Sequence, residues 1–200
     1  MDMNYVPLSM GVAGLVAAFV VYRVVVAYPA GEGKVADIGL KIQQGAMAFM
    51  RREYTLMWGI AAVILLAIGL SDLGWDTALA FFVGAATSSM AGFIGMYTAT
   101  RANVRTTTAA HEKGAGTALS VAFFGGSVMG ITVAAMGLLG LGFLYVLFGG
   151  DPESAETIHG FGMGASLVAL CSRVGGGFFT KCADVGAERV GTVGAGFPEG

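Results

Sequence analysis

The sequence predicts an all-α fold, a polytopic membrane helical bundle with five transmembrane helices, and three observations carry that prediction. Hydrophobic residues make up 56% of the chain and charged residues only 12%, and the mean hydropathy is +0.74. Five stretches are free of charged side chains, and the basic residues fall in every second connection between them. This composition excludes a soluble globular domain, a disordered chain and a secreted disulfide scaffold. The net charge of −2 gives no reason to expect a nucleic-acid partner.

The predicted spans follow from these charge-free stretches, because a transmembrane helix needs about 20 mostly apolar residues. The stretch 114–150 is long enough for two short helices, but it contains no proline and no polar turn, so we interpret it as one helix. The fifth stretch, 157–172, continues past Arg173 without another charge until Lys181. The predicted spans are 4–28, 55–73, 77–101, 116–148 and 157–180.

Residues 31–53 are predicted to form an amphipathic cytoplasmic helix that runs into the second span. Val35, Ile38, Ile42 and Phe49 recur at helical spacing in this segment. A helix that lies on the membrane surface without a functional role explains the same pattern equally well. Because spans alternate with connections to the end of the chain, we expect residues 1–200 to form one membrane domain without a flexible linker.

The placement of charge predicts the orientation. All 11 Lys and Arg residues lie in 23–53, in 101–113 or from Arg173 onwards, and five spans place these segments on one side of the membrane. Positive charge marks the cytoplasmic side, so we expect the N-terminus outside and the C-terminal tail in the cytoplasm. No basic residue precedes the first span, which favours a retained anchor over a signal peptide. The opposite side carries acidic residues only, namely Asp2, Asp72, Asp76, Asp151, Glu153 and Glu156.

Glycine, cysteine and histidine indicate packing more than chemistry. Cys171 and Cys182 would lie about 16 Å apart along a helix, too far for a disulfide. His111 and His159 fall on opposite sides of the membrane, and no metal-protease, Walker A or GxSxG motif is present in the sequence. Glycines within the predicted spans favour close helix packing, and they are Gly84, Gly92, Gly95, Gly125, Gly126, Gly130, Gly137 and Gly140.

The fifth helix carries the one constellation that suggests chemistry. With Arg173 at zero on a helical wheel, Asp184 lies at about 20°, Glu188 at about 60° and Lys181 at about 80°. Two carboxylates on one stripe can hold Mg²⁺ shared with phosphate oxygens, and the two cations can bind the anion. The alternative is an ordinary charged helix end. Arg173 argues against it, because an ionisable residue near the end of a span is costly and usually faces a polar interior.

Several motifs resemble the membrane-bound pyrophosphatases, a family of proton- or sodium-translocating pumps. The resemblance is carried by Phe178-Phe-Thr-Lys-Cys-Ala-Asp-Val-Gly-Ala-Glu-Arg-Val-Gly191, in which Lys181, Asp184 and Glu188 lie. Further matching segments occur in the order typical of the family, and together they cover most of residues 40–191. They are 45–54, 92–105, 122–130 and 160–166.

The resemblance implies that the chain is the N-terminal portion of a homodimeric pump with about sixteen spans, each a helix because helices pair all their backbone groups in lipid. Such a pump hydrolyses Mg²⁺-pyrophosphate to phosphate and exports H⁺ or Na⁺ across what we expect to be a prokaryotic cell membrane. By motif position, Lys181 would contact pyrophosphate, Asp184 and Glu188 would bind Mg²⁺, and Arg173 would couple hydrolysis to ion transport. The resemblance places the water-activating carboxylates beyond Gly200, so no catalytic residue is expected in 1–200, and 181–200 would form a cytoplasmic substrate-motif segment. It does not determine the pumped ion or any K⁺ dependence.

The sequence departs from the family pattern near its end. Glu188 stands where the family usually has Asp, Thr192 replaces a second lysine for pyrophosphate, and Gly194 replaces a glutamate. Three interpretations follow: a portion of an ion-pumping pyrophosphatase that is inactive by itself, a diverged membrane protein that binds phosphate or ions without hydrolysis, and an inert remnant.

Overall fold

The chain folds into a bundle of five long helices, as seen in a computed structural model that describes residues 5–149, 152–189 and 191. This confirms the prediction of an all-α bundle, and no strand occurs in the described ranges. The run 114–150, interpreted as one helix, contains a single helix. The helices are α1 Val6–Ala27, α2 Lys34–Gly69, α3 Gly74–Lys113, α4 Ala115–Phe148 and α5 Pro152–Arg189.

Short connections force neighbouring helices to run antiparallel. Gly114 alone separates α3 from α4, and its φ of +83° lies in the left-handed region that only glycine adopts without strain. Gly149, with a φ of +87°, ends α4 in the same way. The 114–150 run is therefore bounded by glycine at each end, while its internal glycines stay helical. Because the helices alternate in direction, the basic residues gather at one end of the bundle, which we call the basic end.

Helix α3 lies at the centre of the bundle and contacts all four other helices. Helix α1 packs mainly on α4, while α2 packs on α3 and more lightly on α5. Two buried polar side chains of α3 satisfy their hydroxyl groups with carbonyls one turn earlier in the chain. Thr77 donates to the Leu73 carbonyl at 2.8 Å and Ser89 to the Ala85 carbonyl at 2.7 Å, so these residues occupy a water-poor interior without an unpaired donor.

Close backbone contact holds α5 against α3. A Cβ added at Gly160 would lie 2.5 Å from the Thr77 carbonyl oxygen. A Cβ at Gly164 would overlap the Phe81 carbonyl oxygen, and one at Gly84 would overlap the carbonyl oxygen of α5 that faces it. Small residues let the two backbones touch where no water drives association.

The glycines predicted to serve helix packing divide into two groups. A Cβ would meet a neighbouring element at Gly84, Gly92, Gly95, Gly125 and Gly140, whereas nothing lies within 4 Å of one at Gly126, Gly130 or Gly137. The packing interpretation is therefore confirmed for the first group. For the second group, no contact with the described residues accounts for glycine.

Four helices of the described chain, α1 to α4, are long and apolar enough to cross a membrane. Many large apolar side chains on their outer faces are exposed, such as Phe19, Val63 and Phe123. Such a surface suits lipid rather than water. Helix α2 is continuous from Lys34 to Gly69, so the amphipathic segment and the second predicted span form one element. These features make the chain a multi-pass membrane protein.

Candidate functional site

The candidate site lies on α5 at the basic end. The helix continues through Gly175, Gly176 and Gly177 without a break, so the angles predicted on the helical wheel apply to the folded chain. Arg173, Lys181, Asp184 and Glu188 are all exposed. We call these four residues the charged stripe. Thr192 and Gly194, the two departures from the family pattern, lie outside the described residues.

The charged stripe faces away from the other helices. Residues of α5 that pack inward are Val168, Cys171, Gly175 and Phe179, which fall between about 160° and 240° when Arg173 is at zero. The stripe spans about 0° to 80°, on the opposite side of the helix. The four side chains of the charged stripe therefore point away from the helices that pack on α5.

The structure brings three of the four predicted residues near one another. Lys181, Asp184 and Glu188 fall within about 11 Å of helix rise, while Arg173 lies about 12 Å further down the axis from Lys181. Lys181 and Asp184 do not form an ion pair with each other in the described chain.

The carboxylates of α5 suit a metal ion that is also bound by the substrate more than a metal ion bound by protein side chains alone. No group of three or more His, Cys, Asp or Glu side chains occurs within the described ranges. Mg²⁺ keeps several waters and is often held by one or two carboxylates together with substrate phosphates. Asp184 and Glu188, one turn apart with Lys181 nearby, fit a Mg²⁺ ion held by two carboxylates together with substrate phosphates.

Sequence reasoning assigned no role to Glu53, which lies where α2 meets α5. Its Oε1 atom is buried and has no hydrogen-bond partner among the residues that the structure describes, and a Cβ added at Gly175 would lie 2.5 Å from it. Burial raises the pKa of the Glu53 carboxyl above its ordinary value. One turn away, the rings of Phe49 and Phe179 have centroids 4.9 Å apart. Glu53 thus contacts the segment of α5 that joins Arg173 to Lys181.

A hydrogen bond fixes the same part of α2 against α3. The Tyr54 hydroxyl donates to the Ser89 carbonyl at 2.6 Å. Gly92 leaves room for that hydroxyl, which would lie 3.0 Å from a Cβ there. The sequence did offer one signal for Glu53, since it is a charged residue at the end of an apolar segment. Its contact with Gly175, 122 positions later in the chain, could not be predicted from the sequence.

The fold and site define a class: a helical membrane bundle with cations and paired carboxylates at one end of a helix. The model of one family, described as inorganic H⁺ pyrophosphatase, matches residues 12–200. The chain belongs to this family, and the resemblance drawn from its motifs is confirmed.

Individual relatives agree with this assignment. A K(+)-insensitive pyrophosphate-energized proton pump of Methanosarcina mazei is 46% identical over 171 residues, which cover 85% of this chain and 25% of that protein. A putative K(+)-stimulated pyrophosphate-energized sodium pump of Clostridium tetani is 44% identical over 189 residues, covering 94% of this chain and 27% of that protein. A K(+)-stimulated sodium pump of Thermotoga maritima is 38% identical over 197 residues, covering 89% and 27%. The chain spans about a quarter of the length of these relatives.

Proposed function

We propose that this chain is the N-terminal portion of a pyrophosphate-energised ion pump, in which α5 contributes part of a Mg²⁺-pyrophosphate site. The observation that carries the proposal is the charged stripe: two cations and two carboxylates lie exposed on one side of α5, opposite its packing face. A site of this kind needs a second wall. Relatives about four times as long could supply it from residues that have no counterpart in 1–200.

The residues of the stripe have distinct tasks in this proposal. Lys181 binds a phosphate oxygen of the substrate through its ammonium group. Asp184 and Glu188 hold Mg²⁺, which supplies charge neutralisation when bound, the main requirement of phosphoryl transfer. Arg173 lies about 12 Å from Lys181 along the helix, which suits a role in coupling the site to an ion path deeper in the bundle.

The remaining parts of the proposal concern the membrane. From the positive-inside rule we propose that the basic end, and with it the charged stripe, lies in the cytoplasm, and we propose that the cell is prokaryotic. We further propose that α5 is the fifth span and that the complete pump is a homodimer in contact with lipid. The relatives include proton and sodium pumps, both K⁺-insensitive and K⁺-stimulated, so the proposal leaves the pumped ion and K⁺ dependence open.

A chimera tests the proposal, because residues 1–200 without a second wall are expected to be inactive. This chain would replace the matching segment of the Methanosarcina mazei pump, and Mg²⁺-dependent phosphate release would be measured in membranes. We expect an active chimera that loses about 100-fold in turnover on Lys181→Ala or Asp184→Asn, the usual effect of removing one group that stabilises transition-state charge. Lys113→Ala, which removes an exposed cation at the same end, should leave turnover unchanged.

Other outcomes separate the alternatives. Unchanged turnover in Lys181→Ala would refute the assigned role of the stripe. A chimera that assembles and binds Mg²⁺-pyrophosphate without hydrolysis would favour a diverged binding protein, one of the two alternatives that Thr192 and Gly194 support. An assembled chimera that does not bind would favour an inert remnant. Phosphate release by the 200-residue chain alone, abolished in Asp184→Ala, would contradict the need for a second wall.

A further inference from the structure

A second cluster of charge occurs at the basic end, away from the charged stripe. A cleft of about 220 Å³ opens between α2, α3 and the connection from α1 to α2. Gly39 and Gln43 line it from α2, while Arg101 and Arg105 line it from α3. Both arginines are half-buried.

Contacts with α1, with Tyr28 just after α1 and with α3 itself hold both guanidinium groups in place. The Arg101 group lies 4.1 Å from the centre of the Tyr97 ring and donates through Nη1 to the Tyr22 hydroxyl at 2.9 Å. Arg105 donates through Nε to the Tyr28 carbonyl at 3.1 Å and through Nη1 to the Arg101 carbonyl at 2.9 Å. Each guanidinium has five N–H donors, so these bonds fix the groups and leave donors for a ligand. Fixed donors lower the ordering cost of binding.

The charges of the two arginines are not balanced within the described chain. They stand one turn apart on α3, where like charges repel. Burial, and then the neighbouring charge of Arg101, lower the pKa of Arg105. No carboxylate of the described residues forms an ion pair with either group. A half-buried pair of cations is costly unless an anion neutralises it.

The position of the cleft suggests which anion. Arg101 ends the predicted third span, and Arg105 lies one turn, about 6 Å, beyond it towards the basic end of the bundle. The planar guanidinium binds phosphate oxygens through two parallel hydrogen bonds. Basic pockets between transmembrane helices at the cytoplasmic side bind anionic lipid headgroups. We propose that Arg101 and Arg105 form a binding site for a phosphate group, carried by an anionic phospholipid or free in solution, separate from the charged stripe.

The experiment must separate binding from the structural role of the arginines, since replacing them would also release α1. Gln43→Glu instead places a carboxylate at the cleft and leaves the arginines and their bonds to α1 intact. Gln44→Glu is the matched control: it adds the same charge one position along α2, at an exposed residue outside the cleft. Both variants would be purified as the full 200-residue chain in a neutral detergent.

Native mass spectrometry and thermal unfolding would then measure binding of three probes: dioleoylphosphatidylglycerol, dioleoylphosphatidylcholine and inorganic phosphate. We expect one phosphatidylglycerol per chain, with affinity reduced about tenfold by Gln43→Glu because the new charge offsets one cation. Gln44→Glu should stay within about twofold of the unmodified chain. Inorganic phosphate that binds or displaces the lipid with the same dependence on Gln43 would identify free phosphate as a ligand.

The outcomes divide cleanly. Saturable binding of either phosphate probe that is weakened by Gln43→Glu and not by Gln44→Glu supports the site, and the probe that binds identifies its source. Equal binding of phosphatidylcholine and phosphatidylglycerol, with no effect of inorganic phosphate, would overturn the proposal. Equal effects of the two glutamate variants would overturn it as well, because they would show that binding does not occur in the cleft.

Discussion

The contact between α3 and α5 provides the sharpest test of the architecture, through the substitution Gly164→Ala. A Cβ at this position would overlap the Phe81 carbonyl oxygen and lie 2.9 Å from the Ala85 nitrogen. Both atoms belong to the backbone of α3, so neither can rotate aside as a flexible side chain would. The helices must separate, and α5 carries the charged stripe with it.

The expected cost can be worked from this geometry. Overpacking a well-packed interior costs about 1–3 kcal/mol, and rigid backbone neighbours place Gly164→Ala near the upper end. Alanine is favoured over glycine inside a helix by about 1 kcal/mol, which offsets part of that cost. Gly162→Ala is the matched control, because residue 162 is exposed and nothing lies within 4 Å of its Cβ. Gly162→Ala gains the higher helix propensity of alanine without the steric clash, so the unfolding free energies of the two variants should differ by about 2–3 kcal/mol.

Unfolding of the purified chain in mixed micelles of neutral detergent and dodecyl sulfate would measure the difference. Trp58 packs against the cluster that contains Phe81 and Ala61, so its fluorescence reports on the neighbourhood of the contact, while circular dichroism reports on helix content. We expect an earlier midpoint for Gly164→Ala and an unchanged or later one for Gly162→Ala. Equal midpoints would refute the close approach of α3 and α5, and with it the orientation of the charged stripe.

Three further predictions concern other parts of the bundle. Burial raises the pKa of Glu53 above its ordinary value of 4.5, so the folded state binds the proton more tightly than the unfolded state and loses stability as pH rises. Glu53→Gln should therefore stabilise the chain at neutral pH but have little effect on stability below pH 4.5. Denaturation midpoints that rise by the same amount at every pH would contradict this. Tyr54→Phe removes a hydroxyl bonded to α3 at 2.6 Å and should cost about 1 kcal/mol in unfolding free energy. Tyr145→Phe should cost close to nothing, because that hydroxyl has no hydrogen-bond partner among the described residues, and equal losses would refute the assignment. In a Cys171→Ala background, a membrane-impermeant maleimide should label the exposed Cys182 in inverted vesicles only, and labelling in intact cells would reverse the predicted orientation.

The positions of the apolar segments were predictable because they are local in the chain, whereas α3 continues to Lys113 and α5 to Arg189, beyond the predicted spans 77–101 and 157–180. Stretches without charge set the apolar segments, and glycines with positive φ, such as Gly114 and Gly149, bound α4. The 3.6-residue period placed Arg173, Lys181 and Asp184 on one side of α5 before any neighbour was known. The roles of these residues as ligands stay a prediction, because the helical period fixes where they lie and not what they bind.

The face that each helix buries was not predictable. Helix α4 is apolar on every side, so its periodicity does not indicate which side packs. A Cβ added at Gly125 would meet Ala102 of α3, while one at Gly126 would meet nothing within 4 Å, and no property of the two residues distinguishes them in the sequence. The same holds for Arg101 and Tyr22, which are 79 positions apart and joined by one hydrogen bond.

The sequence by itself determined that the chain is a membrane bundle, where its apolar segments lie, which end is basic and to which family it belongs, because composition, period and motif are all local in the chain. Only the tertiary structure decided that α3 is central, that the charged stripe points away from the bundle and that Glu53 meets Gly175. Those facts depend on the rotation and pairing of helices. In largely apolar helices, the rotation and the pairing of each helix are set by packing contacts between residues that are distant in the chain.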